Sequence, residues 1–350
     1  MHGRKKGPSS PLAAEDEARA RAFAATYGEA MAQRRAARAS GAPTNWPFPP
    51  EEALSCTGGV LRLEPEVYSM WGWRREALGA LMGGSQRPGT SAREMFAAES
   101  ALVEACLMRN PKSYCAWFHR KWMADRGMVD LAKEMQLVSQ MLDADERNFH
   151  CWSYRQHVAS LQRAIHGDKP PPPAEGSSPG SSGLVDEIEF GKRKLLQNFS
   201  NYSAWHQRGQ AWVRAAAAER CCERTGLESG ASVLSEDQLS AELAFVRDAL
   251  FTEPDDQSGW LYYRWLLGLG GRLGALPASV HTLRAEEKMV RDLLDLEPES
   301  RHALVTLAFI EATLGEAVAE RRTVGLLEKI DPLRAGAYVD WLHEMHSREP

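Results

Sequence analysis

Apolar side chains recur along this chain at intervals of three and four. Leu131, Met135, Val138 and Leu142 form one such row, with Lys133, Glu134 and Gln136 on other faces. That is the stripe of an amphipathic helix and predicts one across residues 128–142. Residues 95–108 and 239–250 carry the same spacing. No useful stretch alternates with period two, so the pattern predicts helices and no sheet.

Between these helices the chain repeats a phrase in which an acid or Asn stands seven residues before a Trp. The pairs are Glu64/Trp71, Asn110/Trp117, Asp145/Trp152, Asn198/Trp205 and Glu253/Trp260. Weaker copies pair Glu297 with Leu304 and Asp331 with Tyr338. Asn110, Asp145 and Asn198 have side chains suited to an N-cap. Pro65, Pro111, Pro254, Pro298 and Pro332 follow at the next position, where a first helical turn tolerates proline. Arg74, Arg120, Arg155 and Arg208 stand three residues after their Trp, and the fifth copy delays its Arg to Arg264. Three residues apart is one helical face, so each Arg stem can cover the indole while its head reaches a carboxylate or a helix C-terminus. The expected role of these Trp and Arg residues is packing between helices.

The phrase starts at 64, 110, 145, 198, 253, 297 and 331 lie 46, 35, 53, 55, 44 and 34 residues apart. The bare unit is therefore 34 or 35 residues, a helix–turn–helix. Such a period predicts an all-α array, a right-handed superhelical crescent of about seven antiparallel hairpins resembling tetratricopeptide stacks. The longer units carry turn-rich inserts at 83–91, 168–183, 219–237 and 268–278, all on one side of the array. The Pro/Ser/Gly-rich insert at 168–183 has too little apolar surface to fold and is expected to be disordered. Residues 1–41 form a tail and an exposed leading helix, residues 42–50 a linker, and 42–350 the repeat domain.

Bulk properties narrow the function classes. The 42 basic and 47 acidic residues leave a net charge of −5, which disfavours a nucleic-acid binder that works by phosphate neutralisation. No run of about 18 apolar residues offers a membrane span. The opening Met1-His-Gly-Arg-Lys-Lys lacks the apolar core of a signal peptide, and six scattered Cys suit a reducing cytoplasm.

Candidate chemistry is sparse. Cys115 and His119 lie four apart, and His150 and Cys151 fall at a similar phase of the next copy, but no CxxC or HExxH accompanies them. Helix contacts explain these residues better than a metal site does. Cys221 and Cys222 fall in a variable turn and are expected to be inert. No G-x-S-x-G, Walker or Rossmann phrase occurs. Lys112 differs, because it falls just inside an expected helix start after Pro111 and ahead of Tyr114. There an ammonium and free backbone N–H groups could face one phosphate or diphosphate, but the residues alone favour a solvated surface lysine.

The repeated acid/Asn-x-x-x-Tyr-x-x-Trp-x-x-Arg phrase resembles the signature of the protein prenyltransferase α subunits, from about residue 54 to 338. It is most similar to the Rab geranylgeranyltransferase, or type II, branch. The lines that carry this are Met1-His-Gly-Arg4, Asn110-Pro-Lys-Ser-Tyr114, Asp145-Glu-Arg-Asn-Phe-His-Cys-Trp152, Asn198-Phe-Ser-Asn-Tyr-Ser-Ala-Trp205 and Arg264-Trp-Leu-Leu267.

The resemblance implies an obligate heterodimer with a prenyltransferase β subunit that holds the catalytic zinc and most of the lipid pocket. It implies transfer of geranylgeranyl from geranylgeranyl diphosphate to C-terminal cysteines of Rab GTPases presented by a Rab escort protein. Lys112 matches the family's diphosphate contact, and Tyr114, Asn148 and His150 match positions lining the α side of the cleft. His2 matches the family opening and could reach the partner's zinc. Enzymes that read a CaaX box carry Gln after the Tyr of the lysine copy. Cys115 stands there in this chain, which disfavours the α subunit of farnesyltransferase and type I geranylgeranyltransferase. A non-catalytic tetratricopeptide-like scaffold remains the competing reading. The immunoglobulin-like insert and leucine-rich repeats of some family members are not seen in this sequence.

Overall fold

The computed structural model describes residues 11–39, 49–83, 90–166, 183–222, 233–268 and 278–346. The described residues are all-α, built from helical hairpins, and divide into two compact units that meet in sequence at Gly167 and Asp168. The first unit holds α1 (Pro11–Ala39), α2 (Pro50–Leu63), α3 (Tyr68–Met82), α4 (Thr90–Arg109), α5 (Tyr114–Asp125), α6 (Leu131–Ala144) and α7 (Phe149–His166). The second holds α8 (Gly183–Gln197), α9 (Tyr202–Cys222), α10 (Glu236–Thr252), α11 (Gln257–Leu266) and α12 (Val280–Leu296). It continues with α13 (Arg301–Thr313), α14 (Ala317–Ile330), a 3-10 turn (Pro332–Arg334) and α15 (Ala335–His346).

Helices that begin on the repeated phrase pack side by side within each unit. In the first unit α5 contacts both α3 and α7; in the second, α9, α11, α13 and α15 follow one another. Each is backed by the helix before it, as α4 backs α5 and α10 backs α11. Trp71, Trp117, Trp152, Trp205 and Trp260 are buried, and Leu304 and Tyr338 take the same core position in the weaker copies.

The phrase does not open its helix in the way the sequence suggested. Asn110, Asp145 and Asn198 close the preceding helix and start a four-residue turn. The Asn110 side chain accepts from the Lys112 N–H at 3.1 Å, and the Ser113 N–H donates to the Asn110 carbonyl at 3.1 Å. Pro65, Pro111, Pro254 and Pro298 therefore sit in the turn, where a fixed φ suits the position after the first residue. Only Pro332 enters a helical segment, the short 3-10 turn. The capping side chain comes three residues after the phrase start: Ser113, Asn148, Asn201, Asp256 and Ser300 each accept from a first-turn N–H.

The Trp then locks the turn. Its indole N–H donates to the carbonyl six residues earlier, Trp71 to Pro65 at 2.7 Å. Trp117, Trp152, Trp205 and Trp260 do the same to Pro111, Glu146, Phe199 and Pro254, each at 2.8 Å. A Trp at this spacing thus supplies both core volume and the donor a tight turn needs.

Two further expectations change. The leading helix is not free of the repeats, since α1 packs on α2, Ala30 is buried and the Arg34 guanidinium lies 4.4 Å above the Trp73 ring. Cys221 and Cys222 belong to the last turn of α9. Gly127 ends the α5 connection at φ +66°, where a side chain would strain the backbone. His2, residues 42–48 of the linker and the interiors of the four inserts lie outside the described residues.

Candidate functional site

Lys112 stands on the turn between α4 and α5, not within a helix start. Its backbone N–H is already bonded to Asn110, so the expected convergence of free amides with the ammonium is absent, and the side chain alone is the candidate anion contact. That side chain is 64% exposed, with Nζ 3.4 Å from Asp145 Oδ2 on the next turn. Such an exposed pair is held weakly and exchanges readily.

The turn is braced from α7. Asn148 donates from Nδ2 to the Pro111 carbonyl at 3.0 Å, while its Oδ1 accepts from the N–H groups of His150 and Cys151 at 3.1 and 3.2 Å. Asn148 is 1% exposed with both ends of its amide engaged. It therefore positions the lysine turn and does not line a cleft. One residue before Ser113, Lys112 thus inherits its location from a cap belonging to the next repeat.

Tyr114 is exposed at the first position of α5, and its ring meets His150 edge-on with centroids 4.4 Å apart. Phe149 lies 5.9 Å from the same Tyr ring. His150 is 8% exposed and its Nε2 has no hydrogen-bond partner. Burial lowers its pKa against opposing pulls from Glu66 and the Lys112 backbone, which leaves a neutral imidazole beneath Tyr114. The structure thus brings Lys112, Tyr114 and His150 to the same pair of turns, with an exposed cation beside an aromatic surface. Beside them, Tyr68, Trp71, Arg75, Tyr114, Cys115 and Phe118 line a groove of about 230 Å³. Burial, helped by Glu66, pushes the Cys115 thiol up to about 11, so it is a neutral wall residue.

Other candidates resolve into packing. His119 has no exposure and sits with Nε2 2.8 Å from Glu99 Oε1, away from Cys115 chemistry. Among the described residues no three His, Cys, Asp or Glu side chains form a metal-sized group.

Arg74, Arg120 and Arg208 reach buried carboxylates, one of the two partners their spacing allowed; which glutamates supply them was not read from the sequence. Arg74 Nε donates to Glu99 at 2.9 Å, Arg120 Nε to Glu134 at 2.6 Å and Arg208 Nε to Glu242 at 2.8 Å. Arg155 donates to Ser139 Oγ at 2.8 Å. The same glutamates also bind the copy that follows them, through His119, Tyr154 and Tyr262, each two residues after its own Trp or Trp-position partner. A signal was available. Glu99, Glu134, Glu187, Glu242, Glu286 and Glu320 each stand eleven residues before the start of a phrase.

Arg264 is not a delayed copy of this arginine. At the motif position, three residues after Trp260, stands Tyr263, whose hydroxyl donates to Glu286 at 2.7 Å, while Arg247 of α10 supplies the guanidinium. Arg264 points elsewhere and donates to Thr306 Oγ1 at 3.2 Å.

Fold and site together define a helical-hairpin repeat protein with a lysine held on one braced turn. The model of the protein prenyltransferase alpha subunit repeat matches residues 96–126, 131–161, 184–214 and 239–269. The geranylgeranyl transferase type-2 subunit alpha of Dictyostelium discoideum is 31% identical over 288 residues, 81% of each chain. The Sus scrofa protein of the same name is 37% identical over 238 residues, 67% of this chain, which spans only 37% of that relative. A chain of the Candida albicans protein geranylgeranyltransferase-I complexed with GGPP shares the fold, with a TM-score of 0.59 over 84% of each chain at 22% identity. The chain belongs to the protein prenyltransferase α-subunit family.

Proposed function

We propose that this chain is the α subunit of a type-2 protein geranylgeranyltransferase, inactive alone and paired in the cytoplasm with a β subunit. The observation that carries the proposal is the exposed Lys112 ammonium on a turn fixed by Asn148, in a chain whose relatives bear the type-2 name. The reaction joins a Rab cysteine sulfur to C1 of geranylgeranyl diphosphate as the C1–O bond to diphosphate breaks and the thiol proton leaves. Zinc, held by the β subunit, supplies acidification of that thiol.

This chain's part is electrostatic. Lys112 leaves its weak pair with Asp145 and faces the departing diphosphate, where negative charge grows during bond breaking. Tyr114 forms the adjoining wall, and buried neutral His150 supports the Tyr ring without adding charge. The Rab protein arrives with its escort protein. Cys115 in place of Gln removes the amide that would hold a CaaX carboxylate.

Co-expression with a type-2 β subunit tests this reading. The pair should co-purify and transfer geranylgeranyl to a Rab protein with escort present, while leaving a CaaX peptide unmodified. Failure to associate with any prenyltransferase β subunit would falsify it.

A further inference from the structure

Two arginines of the first unit lack the carboxylates that Arg74 and Arg120 have. Arg75 lies half-buried on α3 with its guanidinium 5.1 Å from the centre of the Phe118 ring. Arg126 is exposed just past the end of α5, with its guanidinium 4.2 Å from the Trp122 ring. Among the described residues neither side chain has a hydrogen bond or a carboxylate within ion-pair reach. Burial chiefly lowers the Arg75 pKa, and Arg126 adds to the fall. Tyr68, Cys115 and Glu76 pull the other way without pairing it. Asp125, next to Arg126, is taken by His157 at 2.6 Å. A guanidinium held over an aromatic ring keeps its charge and its fork of N–H donors, which fits a carboxylate.

These groups form a strip along α5. Tyr114, Phe118 and Trp122 stand four residues apart, on one helix face. Tyr68 and Arg75 close the groove from α3, and Tyr68, Tyr114 and Phe118 are exposed. The strip begins at Tyr114, beside the Lys112 turn where the proposed reaction brings sulfur and diphosphate together. From there Arg75 lies at the level of Phe118, about 6 Å along the helix, and Arg126 at the level of Trp122, about 12 Å along. An extended peptide leaving Tyr114 reaches those levels in about two and about four residues. Aromatic walls with unpaired cations at these levels complement a segment that mixes apolar and acidic side chains.

We propose that this strip seats the tail of the protein substrate and selects tails with Asp or Glu about two and about four residues before the reacting cysteine. The substrate cysteines lie at the C-terminus, so the segment along the strip precedes them. Its anions are therefore side chains and not the terminal carboxylate. The inference rests on the proposed geranylgeranyl transfer and adds a charge preference to it.

The test compares two Rab substrates on the assembled enzyme with escort present. One carries Glu, the other Lys, at the second and fourth residues before the reacting cysteine. In wild type, KM for the Glu tail should lie about tenfold below that for the Lys tail, the scale of a pair of exposed ion contacts. Arg75→Glu combined with Arg126→Glu should reverse the preference, an outcome that loss of folding cannot give. Equal KM values for the two tails in wild type would overturn the inference, as would a double variant that keeps the wild-type preference. A double variant that no longer binds the β subunit would assign the strip to the contact between subunits and overturn it as well. If wild type transfers no lipid to either Rab, the geranylgeranyl reading falls and the tail contact with it; transfer without charge preference overturns the tail contact alone.

Discussion

Lys112 and Asp145 show how little holds an exposed cation in place. Their pair spans 3.4 Å in the open, where solvent screens most of the attraction. Lys112→Ala should lower kcat of the assembled enzyme roughly ten- to hundredfold, because one stabilising contact to the leaving group is lost. Heterodimer affinity should not change, and an unaltered kcat would remove Lys112 from the mechanism. Asp145→Asn keeps the acceptor for the Arg147 N–H and releases the lysine. It should tighten KM for geranylgeranyl diphosphate by no more than about fivefold, the scale of an exposed ion pair. The place of Lys112, directly after an Asn-Pro pair, was legible in the sequence. The engagement of its N–H by Asn110 was not, since an Asn before Pro serves a cap and a turn equally well. Arg264 was misread for a similar reason: spacing along one helix cannot say whether a Tyr one position earlier has taken the shared carboxylate.

At the scale of the helix, each copy links its neighbours through atoms the periodicity does not reveal. The helices themselves were legible, since their apolar stripes and the recurring Trp survive every insertion. Their true starts lay three residues beyond the Asn or acid, at Ser113, Asn148, Asn201, Asp256 and Ser300. The buried glutamates were hidden because Glu reads as a surface residue in a helix. Only the eleven-residue offset from the following phrase marks them. Asn148 illustrates the linkage, capping α7 with one end and holding the Pro111 carbonyl with the other. Asn148→Ala should cost about 2 kcal/mol in urea unfolding, about one for the cap and about one for the cross-repeat bond. Asn148→Asp retains the capping acceptor but loses the donor, so it should fall between wild type and Ala. Equal losses in the two variants would show that the cap contributes nothing, and an Asp variant as stable as wild type would show that the bond to Pro111 contributes nothing. Because that bond also fixes the turn under Lys112, the Asp variant should lower kcat as well as stability.

Across the whole molecule, buried ionisable groups bias both units against acid. His119 and His150 in the first unit and His302 in the second are held below the ordinary 6.5, each chiefly by burial. A histidine of this kind is neutral when folded and gains a proton when unfolded, so stability present above pH 6.5 is lost as pH falls through that range. For His302 the loss continues to about pH 4. Glu99 extends it: burial alone would raise its pKa, but Arg74 and His119 outweigh that and hold it at about 2. Its contribution is complete above 4.5 and fades between 4.5 and 2. Glu311 opposes the trend, because burial raises its pKa and acid favours its folded form. Glu287 and Asp331, also held below their ordinary values, side with the other four, so the sign is clear. The urea midpoint should fall steadily from pH 6.5 to 4, and His302→Gln should make that slope shallower by removing one proton uptake. A flat midpoint over that interval would mean the buried imidazoles are reached by water in the folded chain. A fall of equal steepness in the variant would place the effect in the first unit, where His119 lies between Trp71 and Trp122 with Glu99 at its edge.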